Sequence, residues 1–178
     1  MNSAAFFDVD KTLWACSGEK AFARHLFSKG ELGAAKLGGI VYHYLLHKLG
    51  FLPDVDLLKR QVIRNLFEEG AVTPCVEAYS AYFHSDLNAL FFPAMLAKVQ
   101  QHRKAGDKIV VVSAALDFIV ASVARLLNVD NYFSSRLEIA ALTFTGEVEG
   151  PVYYGEAKAQ AVKAYADQHD LSLSDCHA

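Results

Sequence analysis

Two aspartates separated by one residue, Asp8 and Asp10, end the short apolar run Ala4 to Val9. Residues two apart in an extended strand point to the same side, so this spacing aims both carboxylates at one spot. Two carboxylates that close repel, and a cation between them relieves the repulsion. One can then attack phosphorus as a nucleophile, while the other exchanges protons with the leaving oxygen and with the later water. Paired aspartates also occur in ordinary loops. What sets this pair apart is its setting, between an apolar strand and Lys11-Thr12-Leu13. A buried strand that ends in polar groups is how α/β sheets present site residues at their C-terminal ends.

Two further positions carry weaker signals. Lys108 to Val112 reads as a second buried strand and ends in Ser113-Ala114-Ala115. A helix beginning just after Ser113 would offer backbone donors to an anion, although serine is also an ordinary helix cap. Gly155-Glu156-Ala157-Lys158 leads into a helix read from Ala157 to His169. A lysine in a first helical turn is more often a solvated charge than a site residue, and it sits at the less favourable end of the helix dipole.

The remaining chain must position these groups. Tyr132 to Ser135 with Leu137 to Ala140 reads as a third strand, and Leu142 to Val148 with Gly150-Pro151 as a hairpin. Ala94 to Lys104 reads as the helix before the second strand, and a further helix ends near Leu127. Between the first and second strands lie four helical periods, Glu19 to Phe27, Leu32 to Leu49, Val55 to Glu68 and Val76 to Leu90, broken at Gly30, Pro53, Gly70 and Pro74. A crossover needs only one helix, so the excess reads as a helical layer inserted over the strand ends, where it can close on substrate and exclude water. The window from Leu32 to Leu52 is apolar, but Lys36, His43, His47 and Lys48 interrupt it, which predicts a buried or interfacial helix and no membrane span.

Asp8-Val9-Asp10-Lys11-Thr12 resembles the first motif of the haloacid dehalogenase superfamily, Val110-Val111-Val112-Ser113 the second, and Gly155-Glu156-Ala157-Lys158 the third. The wording and the place of the insertion are similar to the phosphoserine-phosphatase-like branch. The resemblance implies an α/β fold: a Rossmann-like core with a parallel sheet over residues 1–14 and 93–178, and a C1-type helical cap over residues 15–92. It implies a phosphomonoester hydrolase with Asp8 as nucleophile, Asp10 as acid and base, and Ser113 and Lys158 on the phosphoryl oxygens. Thr12 and Ala114 join the substrate contacts. Mg2+ is the implied cofactor, held by the Asp8 carboxylate and the backbone carbonyl of Asp10. A fourth, acidic motif belongs on a strand beside the first one. The chain reaches only Ser174-Asp175-Cys176-His177-Ala178 where that strand should begin, so the expectation is a core truncated before it, a weakened metal site, and an unpaired edge at Ala4 to Val9. Asp175 has no apolar strand before it and is not assigned that role.

In phosphoserine phosphatases the position nine beyond the nucleophile is a glutamate that reads the amino group. Here it is Ser17, with Glu19 two places on, which argues against phosphoserine because a charge-assisted bond is lost. Arg60 and Arg64, one turn apart, are the candidates for a substrate anion. The competing reading is a non-catalytic protein of the same fold that binds a phosphate ligand or a partner chain. A dehalogenase or phosphotransferase is a weaker third, since Asp10 favours phosphoryl chemistry.

Composition bounds the rest. The 178 residues are 53% hydrophobic and 21% charged, enough for one core with an insertion and inconsistent with disorder. A net charge of -3 with scattered Lys and Arg gives no basic field, so no nucleic acid is expected. Cys16, Cys75 and Cys176 lack metal-ligand spacing and read as reduced thiols. The seven histidines show no convincing ligand set, His43 and His47 lacking a third partner. With acids near its start in place of a signal segment, the protein is expected in the cytoplasm, as a monomer or homodimer acting on a small phosphorylated substrate.

Overall fold

The computed structural model describes residues 3–68 and 70–178, and every side chain among them except that of Asn88; Met1, Asn2 and Glu69 lie outside the described residues. Four strands, β1 (Ala4–Phe7), β2 (Lys108–Leu116), β3 (Asn131–Ala140) and β4 (Thr143–Glu149), form one sheet in that order. β1 and β2 pair in parallel with Phe7 opposite Val111, and β2 pairs in parallel with β3. β4 returns antiparallel on β3.

β1 is the four-residue run Ala-Ala-Phe-Phe and, although it stands at the edge of the sheet, is buried along its whole length because helices cover both of its faces. Its side chains alternate between two cores. Ala5 and Phe7, with Ile109 and Val111 of β2, pack beneath α6 (Asp117–Leu127) and α5 (Pro93–Ala105). Ala4 and Phe6, with Val110 and Val112, pack against Ala161, Tyr165 and Ala166 of α7 (Glu156–Gln168). Between β1 and α5 the chain inserts α1 (Gly18–Ser28), α2 (Ala34–Lys48), α3 (Val55–Phe67) and α4 (Val72–Ser85). Their apolar faces join the first core through Phe22, Ile63, Phe67, Tyr79 and Phe83.

Five expectations are corrected. The hairpin turns at Ala141-Leu142, both in the left-handed region at φ 50° and 64°, and not at Gly150-Pro151. Such turns usually carry Asn or Gly, so nothing in the sequence marked this one. β2 continues through Ser113 to Leu116, and α6 starts only at Asp117, so Ser113 lies on a strand and not at a helix start. Pro74 does not break a helix: it falls in the first turn of α4, where its missing N–H costs nothing. Of the two readings for α2, buried or interfacial, the buried one fails: Ile40 is its one buried residue, and Val41, Tyr42 and Leu45 face outward, as does Leu49 just past its end. The outer edge of β1 is not bare. His177 bridges it in parallel, accepting from the Phe6 N–H at 2.8 Å and donating to the Ala4 carbonyl at 2.9 Å.

Candidate active site

Asp8 is the first residue beyond β1, and its neighbours fix it by being buried. Val9, Leu13 and Trp14 are fully enclosed, so the loop is pinned at alternate positions while Asp8, Asp10 and Thr12 stay partly open. Lys11 takes a left-handed conformation at φ 59°, and the N–H groups of Thr12 and Leu13 turn back to the Val9 carbonyl. This tight turn keeps Asp8 and Asp10 at the strand end.

Lys158 arrives from the first turn of α7, with its Nζ 3.1 Å from Asp8 Oδ1. The same oxygen accepts from the Val9 N–H at 2.8 Å. Both partners are partly exposed, so the pair is worth little as a stabilising contact. As a chemical arrangement it sets an anion against a cation from a distant part of the chain. Asp8, Thr12 and Lys158 line one end of an open cleft of roughly 720 Å³, which runs beside β1 to Cys176, His177 and Ala178.

Asp10 is held differently. Its Oδ1 accepts from the Trp14 indole Nε1 at 3.1 Å and from the Gly18 backbone N–H at 3.0 Å. Ser113 is buried, and its Oγ accepts from the Ala115 N–H at 3.2 Å. The Ala114 carbonyl accepts from Ser135 Oγ at 3.0 Å and from Lys59 Nζ at 3.0 Å.

Lys59 is a residue that sequence reasoning missed. It leaves α3 to reach both Ala114 and Glu19, tying the inserted helices to the end of β2. Glu19 is buried in the first turn of α1, and burial pushes its carboxyl up despite the Lys59 ammonium beside it. Ser17 caps α1 without a side-chain bond to it. The two arginines are engaged elsewhere. Arg60 bonds Asp56 and the carbonyls of Val148 and Gly150, and Arg64 pairs with Glu147. Both fasten α3 to the β4 region, and neither is brought to Asp8. A lysine between apolar helical positions gave no signal that it, rather than the arginines, turns inward.

Among the described residues, three metal-capable side chains meet at the other end of the sheet: His102, Asp107 and His177. There Asp107 accepts from Ser3 Oγ and from His102 Nδ1, the latter at 2.7 Å, bonds that hold its carboxyl below the usual carboxylate range. The carboxylate is thereby committed to joining the end of α5 to the start of β2. His43 and His47 turn instead to backbone carbonyls within the inserted helices.

A two-layered helical surround on a mostly parallel sheet, with paired acids and a lysine at the strand ends, defines a hydrolase-type α/β core. The family model for haloacid dehalogenase-like hydrolases matches residues 5–178, and the chain belongs to that family. It is 30% identical to a probable phosphatase of Mycobacterium tuberculosis over 99% of its own length and 61% of that protein's. It is 27% identical to a phosphoserine phosphatase of the same organism, covering 58% of that protein, and to an inhibition of morphological differentiation protein of Streptomyces azureus, covering 64% of it. The chain thus spans about three fifths of these relatives' length. A Bordetella pertussis protein of unknown function superposes with a TM-score of 0.81 at 20% identity, over 99% of this chain and 79% of that one. A substrate-bound phosphoserine phosphatase superposes at 0.72 and 20%, over 99% and 76%. No helix among the described residues is long and apolar enough to cross a membrane.

Proposed function

We propose that the chain carries the phosphoryl-transfer site of a phosphomonoester hydrolase that works through an aspartyl-phosphate. The observation that carries this reading is the meeting of Lys158 Nζ and Asp8 Oδ1 at 3.1 Å, at the mouth of a cleft that begins at the end of β1. An ammonium beside a carboxylate lets an anionic phosphate approach an anionic nucleophile, and it stabilises the charge that spreads over the phosphoryl oxygens during transfer.

In the proposed sequence an Asp8 carboxylate oxygen forms a bond to phosphorus as the bond from phosphorus to the ester oxygen breaks. Asp10 gives its proton to that leaving oxygen. Water then attacks the aspartyl-phosphate, its proton passes to Asp10, and the bond between phosphorus and Asp8 breaks to release inorganic phosphate. Lys158 and the Ser113 hydroxyl hold the phosphoryl oxygens, the latter by donating its O–H, which the bond accepted from the Ala115 N–H leaves available. The helices α1–α4 act as a cap that keeps bulk water from the intermediate.

The oxygen-rich donor set at the strand end suits a hard cation. The Asp8 carboxylate and the Asp10 backbone carbonyl would hold Mg2+, which supplies charge neutralisation at the phosphate. The pair of Glu19 and Lys59 stands on the cap side of Asp10 and is the best candidate for sorting substrates, in place of Arg60 and Arg64.

The test is steady-state hydrolysis of an aryl phosphate and a panel of natural phosphate esters with Mg2+. The expected result is turnover that Asp8→Asn reduces to background. Turnover that survives Asp8→Asn would remove Asp8 from its role.

A further inference from the structure

We infer that Trp14 is a positioning residue for Asp10: with the Gly18 amide it fixes one carboxylate oxygen, Oδ1, so that proton exchange with the leaving group falls to Oδ2. The inference rests on the phosphoesterase reading above.

Trp14 is the single tryptophan of the chain and is completely buried. By burial alone it is a core residue. Its ring lies in an aromatic cluster with Phe91 at 5.5 Å and Phe83 at 6.2 Å between centroids, and its backbone bridges Phe91. An indole has only one polar atom, and a buried indole N–H needs an acceptor. Here that acceptor is Asp10 Oδ1 at 3.1 Å, the oxygen that also accepts from Gly18 N at 3.0 Å.

Two features show that the arrangement is confined. The Trp14 side chain is enclosed where α4, the segment before α5, and the Asp8 loop meet. Gly18 brings its amide to Asp10 at a place where a side chain would crowd its neighbours. A Cβ there would lie 2.9 Å from Ile119 Cγ2 and 3.0 Å from Trp14 Cζ2.

A carboxylate oxygen has two lone pairs, and two N–H donors occupy both. A proton on Asp10 therefore resides on Oδ2, the oxygen with no protein donor among the described residues. Trp14 thus selects which oxygen acts as acid and prevents the carboxylate from rotating to present the other. The consequence depends on the leaving group. An alkoxide is too basic to depart unprotonated, whereas a nitrophenolate departs without help.

Two measurements test this. In Trp14→Phe the ring and its packing remain but the donor is gone. On an alkyl phosphate kcat/KM, which reports formation of the aspartyl-phosphate and not its common hydrolysis, falls about tenfold to a hundredfold, the size expected for one charge-assisted hydrogen bond. On nitrophenyl phosphate the loss in kcat/KM is smaller by at least about tenfold. A loss of equal size on both esters overturns the inference. The second readout needs no turnover and no tryptophan variant. The one indole N–H resonance of the chain is expected to move upfield in Asp10→Asn, as an amide replaces a carboxylate acceptor. A resonance that stays in place overturns the inference by itself. If the parent chain turns over neither ester, the phosphatase reading fails, and the indole resonance still decides whether Trp14 holds Asp10.

Discussion

Lys158 and Asp8 are both about one third exposed, so their pairing stabilises the fold little. In the proposed mechanism its worth lies in the transition state, where the ammonium would meet the transferring phosphoryl group. Lys158→Met is therefore expected to lower kcat about 10²- to 10³-fold while changing thermal stability little, as read by parallel kinetics and calorimetry. Unchanged kcat would place Lys158 among the solvated lysines. Glu19 presents the opposite balance. Burial raises its carboxyl above 4.5, the Lys59 ammonium offsets part of the rise, and the Asp10 charge adds to it. The folded chain thus binds that proton more tightly than the unfolded chain, so the stability present below 4.5 is lost as pH rises through the folded pKa. Glu19→Gln lacks this loss. The excess stability of the parent over the variant should shrink from acid towards neutral pH in urea titrations, and a constant difference would contradict the burial argument. At this scale the sequence was legible where chemistry and burial coincide. Asp8, Asp10 and Lys158 stand at the ends of apolar or glycine-marked segments. Lys59 and Trp14 were not, because a lysine on a helix and a tryptophan near a strand look the same whether or not their polar atoms find a partner.

At the scale of elements, α3 is fastened to β4 by more than its arginines. Gly146 in β4 has φ 84°, and a Cβ there would lie 3.0 Å from Glu68 Cβ and 3.3 Å from Arg64 Cα. Gly150 has a similar φ of 75° but faces open space. Gly146→Ala is expected to cost both the backbone strain and the displacement of α3, roughly 2 to 4 kcal/mol, and Gly150→Ala only the backbone part, about 1 to 2 kcal/mol. Equal losses in chemical unfolding would mean that α3 yields without cost. The helical periods of the insertion were readable from glycine and proline breaks, with boundaries displaced by a few residues. The β3–β4 turn was not, since Ala141 and Leu142 adopt left-handed backbone that their side chains disfavour. The extension of β2 past Ser113 was hidden for a related reason: Ser-Ala-Ala suits a helix start as well as a strand end.

Over the whole molecule, the inserted helices and the sheet share one apolar core. Tyr79 of α4 sits in it, 5.1 Å from Phe22 and 5.0 Å from Phe118 between centroids, and its hydroxyl has no hydrogen-bond partner among the described residues. An unpaired buried hydroxyl costs stability, so Tyr79→Phe should raise unfolding stability by up to about 1 kcal/mol. A loss of that size would reveal a partner for the hydroxyl. The α/β class and the insertion were legible from alternating strand and helix periods, because both follow from local pattern. The pairing of His177 on β1 is a long-range contact that no local pattern encodes. The proposed role of Asp8 as nucleophile is open to acid quench during turnover of a phosphate ester, followed by peptide mapping. A phosphoryl adduct on Asp8, absent from Asp8→Asn, is expected. Phosphate released at the same rate by Asp8→Asn, with no adduct on the parent, would contradict it.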